Sequence, residues 1–398
     1  MNLSHGSDPT QIIYCDYAAT GPIRPQVLAA MDEAARLPGN PSSIHRPGQV
    51  ARVALERARR NVARAIGAQP SEVVFTSGGT EANNTVLLGT LHPGDHVVTT
   101  QIEHPSVTKP LEALARRGVE VTAVAPAATG EVPVEAVASA CRPNTRLISV
   151  MAVNNETGVV NDLAALGALA AERGLLLHTD AVQAFGKLPL DVNTWGVHFL
   201  AASAHKIGGP KGVGLLYIRQ GTRSDPLIWG GSQEHDHRGG TENLAGAVGF
   251  AEASNLALAG QQELAGRLTT FRGRFLERLT EAGLKHQVNG ADPYQGVLNI
   301  HFPGVPGQSL VMNLDIAGLA VSYGSSCASG STKASHVLTA MGLPPSTAEQ
   351  SARISFGYDT SAADVEAAAG IVIAEVGRMS GTSFQPSDKQ QAATAHHV

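Results

Sequence analysis

Residues suited to chemistry gather in five clusters of this sequence, and each cluster directly follows a short apolar run. They are residues 76–84 (TSGGTEANN), Glu103 with His104, residues 154–156 (NNE), residues 180–183 (DAVQ) and residues 203–206 (SAHK). Lys206 is the strongest candidate for a reacting group. Apolar runs at 199–201 and 213–218 flank it, so it is held between two core elements rather than on a solvated helix face. Partial desolvation disfavours the ammonium form and frees the neutral amine to act as a nucleophile or Schiff-base partner. An isolated lysine is usually a surface cation with a buried stem; the neighbouring clusters set this one apart.

The TSGGTE loop carries Gly78 and Gly79, which let backbone amides approach a ligand closely. A helix starting near Thr80 would aim its positive end at an anion, and a phosphate is the natural guest. The lysine of a nucleotide P-loop, GxxxxGK[ST], is absent. Ser203 and His205 could add phosphate contacts. Asp180 follows LLLHT, so its carboxylate emerges from a buried strand and needs a cationic partner. A lysine Schiff base, a phosphate cradle and a carboxylate able to hold a pyridinium nitrogen protonated are together what pyridoxal 5'-phosphate requires, because the protonated ring then acts as an electron sink. Taken singly, a structural salt bridge for Asp180 and a steric role for the glycines would explain them as well.

The elements that must position these clusters follow from periodicity. Apolar runs at 73–75, 97–99, 119–124, 147–153, 175–177 and 199–201 alternate with stretches of helical composition, the pattern of a mostly parallel sheet covered by helices on both faces. Ligands of such sheets bind beyond the carboxyl ends of the strands, where the five clusters would converge. Upstream, 12–17 reads as a short strand and NPSSIH (40–45) as a polar loop. Val50, Val53, Ala54, Ala58, Val62, Ala65 and Ile66 then predict one buried face of a helix closed by Gly67. From about Glu252 the character shifts. Leu264, Leu268, Phe271, Phe275, Leu276 and Leu279 predict a long amphipathic helix, followed by strand-like pieces at 297–302 and 352–356. The expected class is α/β, with a large sheet domain over 16–255. A smaller α+β domain takes 1–15 and 256–379, and a disordered polar tail 380–398.

Composition bounds the function. With 398 residues and 43% hydrophobic content the chain can support two cores. A formal charge of −5 gives no basic footprint for nucleic acid. No apolar window reaches membrane-span length and no signal peptide is evident, so a cytoplasmic location is expected. Three widely spaced cysteines, Cys15, Cys141 and Cys327, support neither a disulfide framework nor a zinc site. His235 and His237 in QEHDHR could be read as metal ligands, but the surrounding motif points elsewhere and no metal is expected.

In order along the chain stand NPSSIH, TSGGTEANN, EHPSV, NNETG, HTDAVQ, SAHKIGGPKG, GGSQE, RGGTEN, SSCASGS and SARISFG. This series resembles the cysteine desulfurases of the NifS/IscS-like group, in the class V aminotransferase-like branch of fold-type I pyridoxal-phosphate enzymes, over roughly residues 14–376. Within the group the chain looks particularly like the desulfurases that supply sulfur for DNA phosphorothioation (DndA-like). Two positions depart from the usual pattern: Lys333 and Ala334 stand where proline is common, and Gly239 replaces serine in RSGTEN.

The resemblance implies roles at matching positions. Lys206 would carry the cofactor and shuttle a proton, His104 would stack on the ring and assist proton transfer, Asp180 would pair with the pyridine nitrogen, and Gln183 would bond the phenolic oxygen. Gly79, Thr80, Ser203 and His205 would hold the phosphate, with Thr241 reaching the phosphate of a second subunit in a homodimer with shared sites. Asn155 would line the cofactor and assist Arg353, which resembles the guanidinium that binds the substrate carboxylate. Cys327 lies among small polar residues in a loop leading to a helix over 335–341. No apolar periodicity surrounds it, which favours a reactive thiol. The implied reaction converts L-cysteine to L-alanine with a persulfide on Cys327, for transfer to an acceptor protein serving DNA phosphorothioation or iron-sulfur assembly. A selenocysteine lyase or aminotransferase would use the same pocket, and a non-catalytic sulfur-relay scaffold would keep only the fold.

Overall fold

The structure, a computed structural model, describes residues 12–324 and 334–381. The expected Cys327 loop and nearly all of the expected tail lie outside the described residues. The described residues divide into two compact units, one of 20–155 and 159–262, the other of 12–19, 156–158, 263–324 and 334–381.

The strands, in chain order, are β1 (Ile13–Tyr14), β2 (Val73–Thr76), β3 (His96–Thr100), β4 (Glu120–Val124), β5 (Thr145–Ser149), β6 (Leu176–Asp180), β7 (Phe199–Ser203), β8 (Gly214–Ile218), β9 (Gln287–Val288), β10 (Val297–His301), β11 (Leu319–Ala320) and β12 (Ser351–Ser355). The larger unit is built on a seven-stranded sheet in the order β2-β8-β7-β6-β5-β3-β4. Pairing from β4 through β7 is parallel, and β8 runs antiparallel to both β7 and β2. β2, β7 and β8 are buried along their whole length, as strands covered on both faces must be, whereas edge strand β4 exposes Glu120, Val121 and Ala123. Helices Gly79–Thr90 and Pro105–Ala115 press Ala82, Val86, Leu87, Val107 and Leu111 against Val74, Phe199 and Leu216. Burial of each large side chain contributes about 2 kcal/mol, so this cluster anchors the elements that frame the crevice.

The buried face expected for the helix Arg46–Arg64 holds in its second half, where Ala58 and Val62, with Ala65 and Ile66 just beyond, are buried, but not in its first half. Val50 and Val53 are exposed, while Ala51, Leu55, Ala58, Arg59 and Val62 are buried. The inward Arg59, satisfied by an ion pair with Glu234, was not foreseen by hydrophobicity, which also placed Val50 and Val53 on the buried side. The apolar run 147–153 is strand only to Ser149; beyond it Val153 bridges Val160 in a turn.

In the smaller unit β1 pairs with β11, and β9, β10 and β12 form an antiparallel sheet. The 38-residue helix Leu244–Glu281 begins in the larger unit and ends in this one, where Phe271 and Phe275 pack edge-on against Phe356. Among the described residues no helix is long and apolar enough to cross a membrane.

Candidate active site

Because β2 and β7 both oppose β8, strands β2, β3, β5, β6 and β7 run the same way. Their carboxyl ends bring Thr76, Thr100, Ser149, Asp180 and Ser203 to one edge of the sheet. Each expected cluster of the larger unit leaves from that edge.

The TSGGTE turn enters helix Gly79–Thr90 through Gly78, an N-cap without a side-chain hydrogen bond. First-turn amides therefore point outward with the helix dipole behind them. At Gly79 a Cβ would lie 2.5 Å from Val182 Cγ2, so any side chain there would require its neighbour to shift. The same holds at Gly214, whose Cβ would meet Gly78 Cα at 2.5 Å. Ser203, paired with Gly214 across β7 and β8, brings its hydroxyl to the same turn, 3.9 Å from where a Gly78 Cβ would sit. Thr80, in the first turn of the helix, is exposed.

Asp180 ends β6 and is 6% exposed. Its Oδ2 accepts from Asn83 Nδ2 at 2.7 Å and its Oδ1 from the Val182 amide at 3.0 Å. Both donors are neutral, and among the described residues no cation lies within ion-pair distance of this carboxylate. The same Asn83 amide donates to Ser106 Oγ at 2.8 Å, which lies 2.7 Å from His104 Nδ1. His104 caps helix Pro105–Ala115, Nδ1 accepting the Ser106 amide at 3.1 Å. Gln183, buried in the turn after β6, accepts at Oε1 from Lys187 Nζ at 2.8 Å, which leaves its amide nitrogen as the donating end on the other side.

Lys206 lies in the single 3-10 turn Ala204–Ile207 beyond β7, closed by the left-handed Gly208. The segment 20–24 straps this turn down, Gly21 N–H donating to His205 O at 2.8 Å and Arg24 N–H to Gly208 O at 3.0 Å. Buried Ala204 and Ile207 flank the half-buried lysine. The His205 ring, 3.1 Å from Thr20 Oγ1, is pushed down to about 3, first by burial and then by the charges of Lys206, Lys187 and Lys211. It is neutral near pH 7 and can serve an anion only as a hydrogen-bond donor.

Other expected residues stand elsewhere. Arg353 lies on β12 in the smaller unit, 1% exposed, with Nη2 2.7 Å from Asp16 Oδ1. Asn155 is half-buried at the boundary of the larger unit. Thr241 is exposed after a segment tied to the β2 region by two ion pairs, Arg238 to Glu81 and Arg59 to Glu234. Cys15 is fully buried and its thiol is pushed far up, chiefly by that burial; half-buried Cys141 donates to Val137 O, and burial raises it as well. Neither is poised as a thiolate. Among the described residues no three His, Cys, Asp or Glu side chains are grouped to hold a metal.

The positions that sequence reasoning passed over are Asn83, Ser106, Lys187 and the Arg59–Glu234 pair. Asn83 stood inside TSGGTEANN, and the i, i+4 spacing of Gln183 and Lys187 was visible, but neither carries a signal without the fold. A cradle for phosphate and a buried carboxylate with only neutral donors are the fit that pyridoxal 5'-phosphate demands of a protein.

Residues 13–368 match the aminotransferase class-V family. A cysteine desulfurase IscS of Dictyoglomus turgidum is 41% identical over 89% of this chain and 91% of its own. Among solved structures, a NifS-like protein superposes with a TM-score of 0.85 at 32% identity, covering 91% of this chain and 98% of that one. DndA from Streptomyces lividans gives a TM-score of 0.72 at 35% identity over 86% and 99%. The chain belongs to the aminotransferase class-V family, and within it to the cysteine desulfurases of the IscS and NifS-like kind. Its fold is the fold-type I architecture expected from the alternating strands and helices.

Proposed function

We propose that this protein uses pyridoxal 5'-phosphate to take sulfur from L-cysteine, releasing L-alanine and leaving a persulfide on Cys327. The observation that carries this proposal is Asp180, a buried carboxylate held by two neutral donors at the end of β6, beside an anion-ready helix terminus. When bound, the cofactor supplies an electron sink that acidifies the Cα–H of an amino acid.

The chain's residues supply the rest. Gly79, Thr80, Ser203 and His205 hold the phosphate, and Asp180 holds the ring nitrogen. Gln183, with its oxygen engaged by Lys187, offers its amide hydrogens to the phenolic oxygen. His104 would cover the ring, and Lys206 would provide covalent attachment and the amine that moves the Cα proton. Arg353, itself steadied by Asp16, binds the substrate carboxylate with Asn155 assisting. The Cys327 thiolate attacks the substrate sulfur, the carbon-sulfur bond breaks, and the carbon product takes up a proton to leave as alanine.

A homodimer with Thr241 reaching the partner copy's phosphate belongs to the same proposal, supported by exposed Ile44, Val50, Val53 and Trp229. The site of action is cytoplasmic, and the sulfur passes to an acceptor protein for DNA phosphorothioation or iron-sulfur assembly. With a net charge of −5 the DNA itself is handled by a separate protein.

The test is purification with pyridoxal 5'-phosphate and assay of alanine and sulfide from L-cysteine with a thiol reductant. Lys206→Ala is expected to lose both turnover and the visible absorbance of the attached cofactor; loss of that absorbance in Lys211→Ala alone would reassign the lysine. Cys327→Ser is expected to stay yellow, yet to form no persulfide by intact-protein mass spectrometry. Wild-type sulfide release by that variant, or turnover that depends on a keto acid, would overturn the desulfurase assignment in favour of a transaminase-type enzyme.

A further inference from the structure

A chain of buried hydrogen bonds joins Asp180 to His104, and its direction can be worked out from the carboxylate. An ionised carboxylate only accepts, so the Asn83 group 2.7 Å from Asp180 Oδ2 is the NH2 end of the amide. The second hydrogen of that NH2 points to Ser106 Oγ at 2.8 Å. Asn83 Oδ1 then faces His178 Nε2 at 3.1 Å, which has to carry a hydrogen. His178 is fully buried and its pKa is pushed down to about 3 by that burial, so the ring holds one hydrogen only. Its Nδ1 accordingly accepts from Ser149 Oγ at 2.9 Å. On the other branch Ser106 Oγ accepts from Asn83 and turns its own hydrogen to His104 Nδ1 at 2.7 Å, where the Ser106 amide also donates. Two donors converge on His104 Nδ1, so the neutral ring carries its hydrogen on Nε2.

We propose that Asn83 is a positioning residue of the reaction: one amide group orients the Asp180 carboxylate and, through Ser106, sets His104 as a donor from Nε2. This rests on the function proposed above, in which Asp180 and His104 meet the cofactor ring. It divides the proton work. A hydrogen on His104 Nδ1 would oppose the Ser106 hydroxyl and amide, so His104 gives a hydrogen bond or proton from Nε2, and removal of the Cα proton is left to Lys206. Asn83 is fully buried and Ser106 nearly so, which keeps water from resetting these directions.

The experiment uses the full-length protein labelled with 15N in its histidine rings, with and without pyridoxal 5'-phosphate. The signals of His104 and His178 are assigned by their loss in His104→Gln and His178→Gln. Expected in the wild type is a protonated Nε2 and an accepting Nδ1 for both rings. Asn83→Asp keeps the shape but presents an acceptor to Ser106, whose hydrogen then turns to residue 83. His104 should gain an Nδ1–H population, and the dissociation constant for the cofactor should rise about tenfold or more. Ser106→Thr should retain the wild-type His104 shifts and Ser106→Ala should alter them. A wild-type His104 with hydrogen on Nδ1 overturns the proposal without any variant having to fold. Unmoved ring shifts and cofactor affinity in a folded Asn83→Asp would do the same. If the wild type binds no pyridoxal 5'-phosphate while the ring shifts follow this pattern, the cofactor assignment fails and the hydrogen-bond assignment stands.

Discussion

Asp180 and Glu234 are equally deep in the larger unit, at 6% and 5% exposure, and they are satisfied in opposite ways. Glu234 meets a guanidinium fork: Arg59 Nη1 lies 2.5 Å from its Oε2 and Nη2 3.0 Å from its Oε1, and the Phe75 amide adds a third donor at 2.8 Å. Arg59 in turn bonds Val73 O and lies over the Phe75 ring, 5.1 Å from its centroid. The charge is closed within the protein. Asp180 has two neutral donors and no such cation among the described residues. Burying a carboxylate is costly unless a cation or several donors compensate it. A pair that completes itself is structural, and a carboxylate kept short of a cation is ready for one brought by a ligand. Glu234 also bears strain, since Glu234, His235 and Asp236 all have positive φ, at 49°, 56° and 66°. Three such non-glycine residues in a row persist only when their surroundings over-determine them, and the Arg59 clamp is that surrounding.

Asp180→Asn should separate the two carboxylates most strongly. The carboxamide can keep one of the two hydrogen bonds but cannot hold a ring nitrogen protonated, so turnover should fall by about a thousandfold. Thermal unfolding of the cofactor-free protein should stay unchanged or move upward, because an uncompensated charge has been removed. A large loss of cofactor-free stability would place Asp180 with Glu234 as a structural group.

Arg59→Ala should do the reverse. It leaves Glu234 buried without its cation, a change that costs about 3–5 kcal/mol of stability. Denaturant unfolding of the cofactor-free protein would measure it, and the double variant Arg59→Met with Glu234→Leu should recover much of the loss. Cofactor affinity should suffer less than stability, through loosening of the segment that carries Thr241. Were the single and double variants equally unstable, the loss would come from the missing hold on the left-handed run rather than from an unpaired Glu234 charge.

The difference between these two carboxylates also explains what the sequence revealed. Apolar runs of strand length, each ending in a polar cluster, made the sheet and the site at its carboxyl edge legible, because strand burial and strand-end chemistry both leave local marks. Asp180 was visible for that reason, directly after LLLHT. Glu234 was not, since its partner is 175 positions away and pairing between distant side chains leaves no periodicity. The same blindness misplaced part of the helix Arg46–Arg64: Arg59 is inside and Val50 and Val53 are outside, while Ala58 and Val62 are buried as expected. Asn83 was hidden differently. It was noticed as part of a glycine-rich motif, but its role depends on Ser106 and His178 being brought to the same amide by two other elements.

Glu103 offers a third solution to burying a carboxylate, and the smallest expected effect. Desolvation pushes its pKa up from the ordinary 4.5 to about 8, against hydrogen bonds from the Met151 amide and Thr100 hydroxyl and alongside repulsion from Asp180. Near neutrality it is kept protonated. Below pH 4.5 both the folded and unfolded chains hold this proton, and the group adds no pH dependence. Between 4.5 and about 8 the unfolded chain has lost the proton and the folded chain has not, so unfolding releases it and stability falls as pH rises. Above about 8 both forms are ionised and the full penalty persists. Glu103→Gln cannot ionise, and its carbonyl oxygen can still accept from Thr100 and Met151. The variant should therefore match the wild type in stability at pH 4 and exceed it by about 1–2 kcal/mol at pH 6, the gap widening up to pH 8. Turnover near neutrality should change little, because the wild-type side chain is uncharged there, as the glutamine is. Urea unfolding of the cofactor-free protein across that range is the measurement. A constant stability difference at every pH would mean that Glu103 is ionised in the folded state, and so is compensated as Glu234 is.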